Sequence, residues 1–279
     1  MIERRRGYGG HGLVRHLRSL HRYGIPVLVP LTLLAACSGG GGGAPSGKDT
    51  DGPTAGPGPD TASPAPVLDA DPARLPGNRK AALDLIARVI ADPGSFGPGV
   101  VRRSPYESGP ATWPVLGADC VWRQEKPADD VLATLTRDFE VPAVKGKGPV
   151  RLSAVVTVHR TREDAQWEMA ESLEETMRCP TQQLREGERI GSMVSAALLG
   201  GEATQTTSED SLSEAGEYSS TELGGPHAYA WQQAQSLQFT VAATGKGAEG
   251  RTEKEVSDLV TQGLSTMLIR VESAVEKQS

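Results

Sequence analysis

The composition of the chain changes abruptly at Cys37, and this change limits the part that can fold. Before it, residues 1–24 carry six arginines against one acid, and the next twelve residues carry no charge. After it, residues 38–77 contain ten glycines and eight prolines with almost no large apolar side chains. Such a segment buries too little apolar surface to offset the entropy lost on ordering. We therefore expect a disordered tether over residues 37–77 and one folded domain over residues 78–279.

Residues 1–36 have the layout of a secretory signal peptide. A basic segment is followed by the uncharged run from Ile25 to Ala36, with small residues at its end. The run is too short to cross a bilayer, which takes about 20 apolar residues, and Pro26 and Pro30 interrupt it. We expect the protein to be exported by the general or the twin-arginine route, and this segment to be removed.

The end of this run, Leu34-Ala35-Ala36-Cys37, resembles the bacterial lipobox. The resemblance implies that Cys37 receives diacylglycerol, with acyl chains such as palmitate, and that the signal peptide is cut just before it. Cys37 would then be the first residue of the mature protein. Two acyl chains suffice for stable anchoring. The alternative is a cysteine that stands by chance near an ordinary cleavage site. The expected location is the outer face of the plasma membrane.

The mature chain is acidic. The 29 basic and 35 acidic residues of the whole chain become 23 and 34 without residues 1–36, a formal charge of −11. This charge argues against nucleic acid as a partner and against adhesion of the folded part to an anionic membrane surface. The partners expected are the membrane, through Cys37, and an envelope protein or small ligand.

The periodicity of residues 78–279 predicts an α+β fold. A helix is expected from Arg79 to Ala91, a loop up to Gly117, three strands between Cys120 and Arg160, and a long helix ending near Lys277. Two more strands are expected near residues 217–223 and 228–243, with a turn at 234–236. We expect two or three helices to cover a mostly antiparallel sheet.

The sequence also predicts which side of the second helix faces the sheet and what kind of segment follows that helix. The helix after Thr161 is expected to turn an apolar stripe toward the sheet and four glutamates toward solvent. The stripe comprises Trp167, Ala170, Leu173 and Met177, and the glutamates are Glu168, Glu171, Glu174 and Glu175. In the segment from Thr181 to Gly216, residues 193–199 favour either a strand or a short helix, and residues 200–216 a polar loop.

If Cys37 is lipidated, Cys120 and Cys179 remain as a possible disulfide. The compartment outside the plasma membrane permits a disulfide. The bond would close a loop of about 60 residues and stabilise the fold by roughly 4 kcal/mol. The alternatives are two buried free thiols or a reactive cysteine, and no basic neighbouring motif supports the latter.

Short catalytic motifs are absent from the sequence. It contains no G-x-S-x-G, S-x-x-K or H-E-x-x-H pattern. The mature part has two histidines, His159 and His227, for which we expect surface or hydrogen-bonded roles. The acidic pairs 129–130, 163–164 and 174–175 are explained by a loop and by the solvated sides of helices rather than by calcium or acid catalysis. We expect no enzyme activity, no metal and no cofactor.

The tryptophans are expected mainly in the core or half-buried. The alternative is that Trp122, Tyr229 or Trp231 lines a ligand groove, since aromatic side chains combine an apolar body with a polar handle.

Several short motifs resemble those of actinobacterial cell-envelope lipoproteins. They are the lipobox and tether, Cys120-Val121-Trp122, the strand end V-T-V-H-R-T, the helix start E-D-A-Q-W and its end Arg178-Cys179-Pro180. In outline these proteins are similar to the extracytoplasmic sensor domains of some actinobacterial Ser/Thr kinases, which are cysteine-bridged α+β folds with a ligand groove. The resemblance implies a bridge between Cys120 and Cys179 and a sensor-like domain, and it transfers no ligand residue.

Three functions follow as hypotheses. The first is a non-catalytic lipoprotein that binds an envelope ligand or a partner protein. The second is a structural or assembly factor for wall building or secretion, which would show a flat patch in place of a pocket. The third is a hydrolase without a short motif, which would require a histidine near a serine and a carboxylate in a cleft.

Overall fold

The computed structural model describes residues 68–197 and 208–277, so the expected signal peptide, Cys37 and residues 38–67 of the expected tether lie outside the described residues. The predicted α+β fold is confirmed. The helices are α1 (Arg79–Val89), α2 (Arg162–Arg178) and α3 (Glu253–Val275). The strands are β1 (Val101–Glu107), β2 (Trp113–Leu116), β3 (Trp122–Glu125), β4 (Val131–Val141), β5 (Val150–His159), β6 (Gln182–Arg185), β7 (Glu188–Ala197), β8 (Asp210–Ser220), β9 (Gly224–Ser236) and β10 (Phe239–Lys246).

Eight of these strands form one sheet in the order β1-β4-β5-β10-β9-β8-β7-β6. Every neighbouring pair is antiparallel. Strands β2 and β3 form a separate hairpin. None of the helices in the described residues is long and apolar enough to cross a membrane.

One face of the sheet, the core face, is covered by α1 and α3. Alternate residues of the central strands, such as Val156 and Val241, are buried there beneath the helices. The aromatic ring of Phe139 packs between those of Phe96 and Tyr106, at centroid distances of 5.0 and 5.5 Å. Each large apolar side chain buried in this way contributes about 1.5–3 kcal/mol. This face holds the main hydrophobic core.

Helix α3 is the clearest sequence prediction and is confirmed. Thr252 caps its start and forms a capping box with Glu255. Its apolar stripe is buried along the core face, and Gly263 lies on the same side, against the ring of Phe96. A side chain at this position would overlap that ring. The glycine therefore permits the close approach of helix and ring.

Helix α2 lies on the opposite sheet face, which we call the polar face, and its predicted orientation is wrong. Thr161 and Asp164 form the expected capping box. However, Trp167 is 61% and Met177 76% exposed, while the residues buried in α2 are Ala165, Met169 and Thr176. The apolar stripe thus points to solvent.

The nature of the polar face explains this orientation. Thr134, Thr157, Thr240 and Gln235 lie in one cross-strand row on β4, β5, β10 and β9. All four are buried. Since buried hydroxyl and amide groups need hydrogen-bond partners, a helix surface that supplies a carboxylate matches this face better than an apolar one.

The strands also depart from the sequence prediction in places. The predicted loop up to Gly117 contains β1 and β2, and the predicted polar loop over residues 200–216 gives way to β8 from Asp210. The uncertain apolar segment after residue 193 belongs to strand β7, and residues 198–207 lie outside the described residues. The turn expected at residues 234–236 lies instead at Leu237 and Gln238. Of these, β8 is rich in polar residues and is held by its neighbours β7 and β9 on both sides.

Candidate functional site

A small cleft opens between the polar face, helix α2 and the β2–β3 hairpin. It encloses about 130 Å³. Three half-buried indoles line it, Trp113 and Trp122 from the hairpin and Trp231 from β9. We call it the tryptophan cleft. Its sheet residues are Thr134, Val155, Thr157, Gln233 and Ala242, and its helix residues are Glu168, Glu171, Ser172 and Glu175.

Glu168 is the hub of the hydrogen bonds at this site. It accepts from Nε2 of His159 at 2.6 Å, from Nε2 of Gln233 at 2.6 Å and from the hydroxyl of Thr240 at 2.7 Å. These donors come from β5, β9 and β10. The carboxylate therefore fixes α2 against three strands and explains why this side of the helix faces the sheet.

Gln233 has one unsatisfied group in the cleft. Its side chain is only 3% exposed, and its Oε1 has no hydrogen-bond partner among the described residues. The orientation of the amide is fixed, because the carboxylate of Glu168 only accepts and must face the NH₂ group. A buried acceptor without a partner costs about 1–3 kcal/mol. The cleft thus contains an acceptor that a bound donor would satisfy.

His159 is buried beside the cleft. It is 2% exposed, Nε2 bonds Glu168, and Trp113 packs edge-on at 6.3 Å between ring centroids. Nδ1 has no hydrogen-bond partner within residues 68–197 and 208–277. His159 therefore has the expected hydrogen-bonded role, but it is buried and does not lie at the surface. His227 contacts the carbonyl oxygen of Leu223 at 2.8 Å through Nε2.

Carboxylates dominate the charge around the cleft. Burial raises the pKa of Glu175 to about 7; Arg178 opposes the rise, and the charges of Glu171, Glu174 and Glu214 add to it. Burial is the main cause of a raised pKa at Glu171 and at Glu214 as well. The predicted solvated role of the glutamates on α2 is therefore wrong for Glu168 and Glu175. Neither a lysine nor an arginine occurs among the described residues that line the cleft.

The disulfide holds two walls of the cleft together. The sulphur atoms of Cys120 and Cys179 are 2.09 Å apart, with Cα atoms at 5.5 Å, so the expected pair is bonded in the structure. Cys120 precedes β3, and Cys179 caps the end of α2. Close by, the indole of Trp122 donates to Gln182 at 2.7 Å, and Gln182 donates to the Cys179 carbonyl at 3.2 Å. The bridge thus fixes an aromatic wall relative to the acidic wall.

The structure brings two of the three predicted groove residues together and separates the third. Trp122 and Trp231 both line the tryptophan cleft, whereas Tyr229 does not. Tyr229 is buried in a second apolar cluster with Ile190, Met193 and Tyr218. The expected lipid-attachment residue, Cys37, lies outside the described residues.

Trp113, Gln233 and the acidic wall of the cleft were not predicted from the sequence. One signal was present, because Gln233 and Gln235 share one face of a central strand where apolar side chains would be usual. Glu168, Glu171 and Glu175 recur at helical spacing and would mark an acidic face once the orientation of α2 was known.

Two larger hollows differ from the tryptophan cleft in character. One, of about 920 Å³, lies along the β6–β7 edge and is lined largely by turns and exposed polar residues. Its buried Glu188 already pairs with Arg151 at 3.0 Å and lies near Lys246 at 3.8 Å. The other, of about 490 Å³, lies beside Asn78 and Arg160. In the described residues, no group of three or more His, Cys, Asp or Glu is placed to hold a metal ion.

Neither a protein-family model nor a curated protein matches this chain. Function is therefore inferred from the cleft and from the leader sequence.

Proposed function

We propose that this protein is a membrane-anchored extracytoplasmic lipoprotein whose domain binds a small envelope ligand without catalysis. The leader and Cys37 support the anchor and the location. The tryptophan cleft supports the binding role. The observation that carries the proposal is the unpartnered Oε1 of Gln233, buried in a cleft lined by three indoles. Buried polar groups without partners are unusual in folded proteins, and ligand pockets use a small number of placed polar groups to orient what they bind.

The geometry supports binding better than catalysis. A hydrolytic triad requires a nucleophile next to a histidine that a carboxylate orients. Glu168 does hold His159, but the other ring nitrogen meets no hydroxyl among the described residues. The dyad instead joins α2 to the sheet, which is a positioning role.

The test uses tryptophan emission from the full-length protein. Trp167 lies on the outer side of α2, so the variant Trp167→Phe leaves emission only from the three tryptophans of the cleft. A low-mass fraction extracted from the envelope should change this emission in a saturable manner. The change should disappear in Trp167→Phe/Gln233→Leu. A folded Trp167→Phe protein that shows no saturable change would refute the binding role.

The exposed surface of α2 favours a second candidate, an assembly factor. Trp167, Leu173 and Met177 are exposed along one side of the helix, and Glu163 and Glu174 lie beside them. This arrangement fits a partner protein with an apolar surface and a basic rim. If so, the detergent-extracted protein should migrate as a complex, and Trp167→Ser/Met177→Ser should migrate as the single chain. Equal migration of the two would contradict a partner at this surface.

A further inference from the structure

We infer that the tryptophan cleft takes a primary ammonium group carried at the end of its ligand. The inference rests on the proposed binding function and names the chemical class that the cleft would recognise. Four observations lead to it: the charge of the cleft, its aromatic walls, its unpartnered acceptor and its size.

The charge of the cleft favours a cation. Glu168, Glu171 and Glu175 line one wall, and no described arginine or lysine lines any other. The nearest arginine on the helix, Arg178, bonds Glu174 at 3.2 Å outside the cleft. An anionic ligand would meet like charge in a partly buried site, which is unfavourable.

The aromatic walls favour the same class. Trp113, Trp122 and Trp231 come from three strands and are all half-buried in one cleft. The face of an indole attracts cations, and the attraction grows as water is excluded. Indoles together with carboxylates thus form an environment that a desolvated ammonium group can enter.

The unpartnered acceptor separates a primary ammonium from a quaternary one. Oε1 of Gln233 requires a donor, and its own amide nitrogen is already committed to Glu168. A primary ammonium supplies three N–H donors, whereas a quaternary ammonium supplies none. Hydrogen bonds to a charged group are also stronger than neutral ones. Because Oε1 of Gln233 needs a hydrogen-bond donor, it favours a protonated primary amine over a quaternary ammonium.

The size of the cleft limits what enters it. Its volume of about 130 Å³ is well below the 300–1,000 Å³ typical of sites that enclose whole small molecules. An ammonium group with a short alkyl stem fits such a space, while the remainder of the ligand would extend into solvent. The ligand class is thus a molecule with a terminal aminoalkyl group.

The test compares four probes of similar size on full-length Trp167→Phe: n-butylammonium, n-butanol, butyrate and butyltrimethylammonium. We expect a saturable change in tryptophan emission with n-butylammonium only, at concentrations up to about 100 mM. Equal binding of butanol or butyrate would overturn the charge argument. Equal binding of butyltrimethylammonium would overturn the role of Gln233 and the primary-ammonium inference.

Two variants with the same charge change, one inside and one outside the cleft, test which carboxylate contributes to binding. In the Trp167→Phe background, Glu175→Gln should weaken n-butylammonium binding about tenfold, as expected for the loss of one charged partner. Glu174→Gln makes the same charge change outside the cleft and should leave binding within about twofold. Equal weakening by the two variants would show a general charge effect and would overturn the assignment.

A measurement on the unsubstituted protein guards against variants that fail to fold. The groups facing Glu175 are Glu171, Glu174 and Arg178 on α2 and Glu214 on β8. A bound cation would favour the ionised form of Glu175, so binding near pH 7 should release protons. Calorimetry in two buffers of different ionisation enthalpy detects this release, and binding without it would contradict an ammonium beside Glu175.

The two proposals fail in different ways. If the envelope fraction binds and n-butylammonium does not, the cleft is a ligand site and the ammonium inference falls. If neither binds to the folded protein, the binding function falls with it.

Discussion

Replacing Glu175 with glutamine should stabilise the protein in mild alkali and leave its stability unchanged in acid. Burial, reinforced by neighbouring glutamates, raises the pKa of Glu175 from its usual 4.5 to about 7. Between these two pH values the folded chain binds more protons at this site than the unfolded chain. The wild-type free energy of unfolding therefore falls as the pH rises through this window. Glutamine cannot ionise and avoids the loss.

The magnitude follows from the size of the pKa difference. At 1.36 kcal/mol per pKa unit, a rise from 4.5 to about 7 corresponds to roughly 3 kcal/mol. Because Glu175 is only partly buried, solvent screening reduces the expected effect to about 2 kcal/mol. We expect Glu175→Gln to exceed the wild type by this amount at about pH 8, and to match it below about pH 3.5, where Glu175 is protonated in both the folded and the unfolded chain.

The assay is guanidinium unfolding of the full-length proteins at a series of pH values. Other titrating groups are common to both proteins and largely cancel in the difference. Glu174→Gln is the control, since the side chain of Glu174 is largely exposed and should change stability by less than about 0.5 kcal/mol. A stability difference for Glu175→Gln that does not vary with pH, or that favours the wild type at about pH 8, would refute the reasoning.

Three further predictions concern the bridge, the anchor and the core. Replacing both Cys120 and Cys179 with alanine should lower the free energy of unfolding by about 4 kcal/mol, given their separation of 59 residues, and non-reducing mass analysis of the wild type should find the two linked. Cys37→Ser should move the protein from the membrane fraction to the soluble fraction, and full retention in the membrane would contradict lipidation there. Gly263→Ala should destabilise by about 1–2 kcal/mol in thermal unfolding despite alanine's better helix propensity, because its methyl group would overlap Phe96.

Elements that bury an apolar stripe could be predicted from the sequence, and those that do not could not. Helix α3 has a continuous apolar stripe and meets the apolar core face, so periodicity located it correctly. Strand β8 begins within a polar segment, Asp210-Ser211-Leu212-Ser213-Glu214, whose composition is typical of a loop. It forms a strand because β7 and β9 supply partners on both sides.

The candidate site was predicted only in part, and for the same reason. Trp122 lies two residues from the bridge that joins the hairpin to α2, and a groove was one of the two roles considered for it and for Trp231. Tyr229 is two residues from Trp231 and shares its sheet face, so alternation alone could not tell which of them meets the cleft. The position of α2 over the sheet decides this, and no local pattern contains that information.

The orientation of α2 results from a balance that sequence periodicity cannot weigh. Turning the helix by half a revolution would bury Trp167 and Met177, each gaining about 1.5–3 kcal/mol. It would also remove Glu168 from His159, Gln233 and Thr240, leaving three buried polar groups without their acceptor at about 1–3 kcal/mol each.

These opposing energies are of similar size, and the covalent bridge at the end of the helix adds a further restraint. Cys179 follows the last turn of α2 and is bonded to Cys120, which ties the end of the helix to the hairpin. In this orientation Glu168 contacts the sheet, and both Glu168 and Glu175 line the cleft. The hydrogen bonds of Glu168 and the bridge thus hold the acidic wall together, and a chain that lacks the bridge should lose the cleft before it loses the core face.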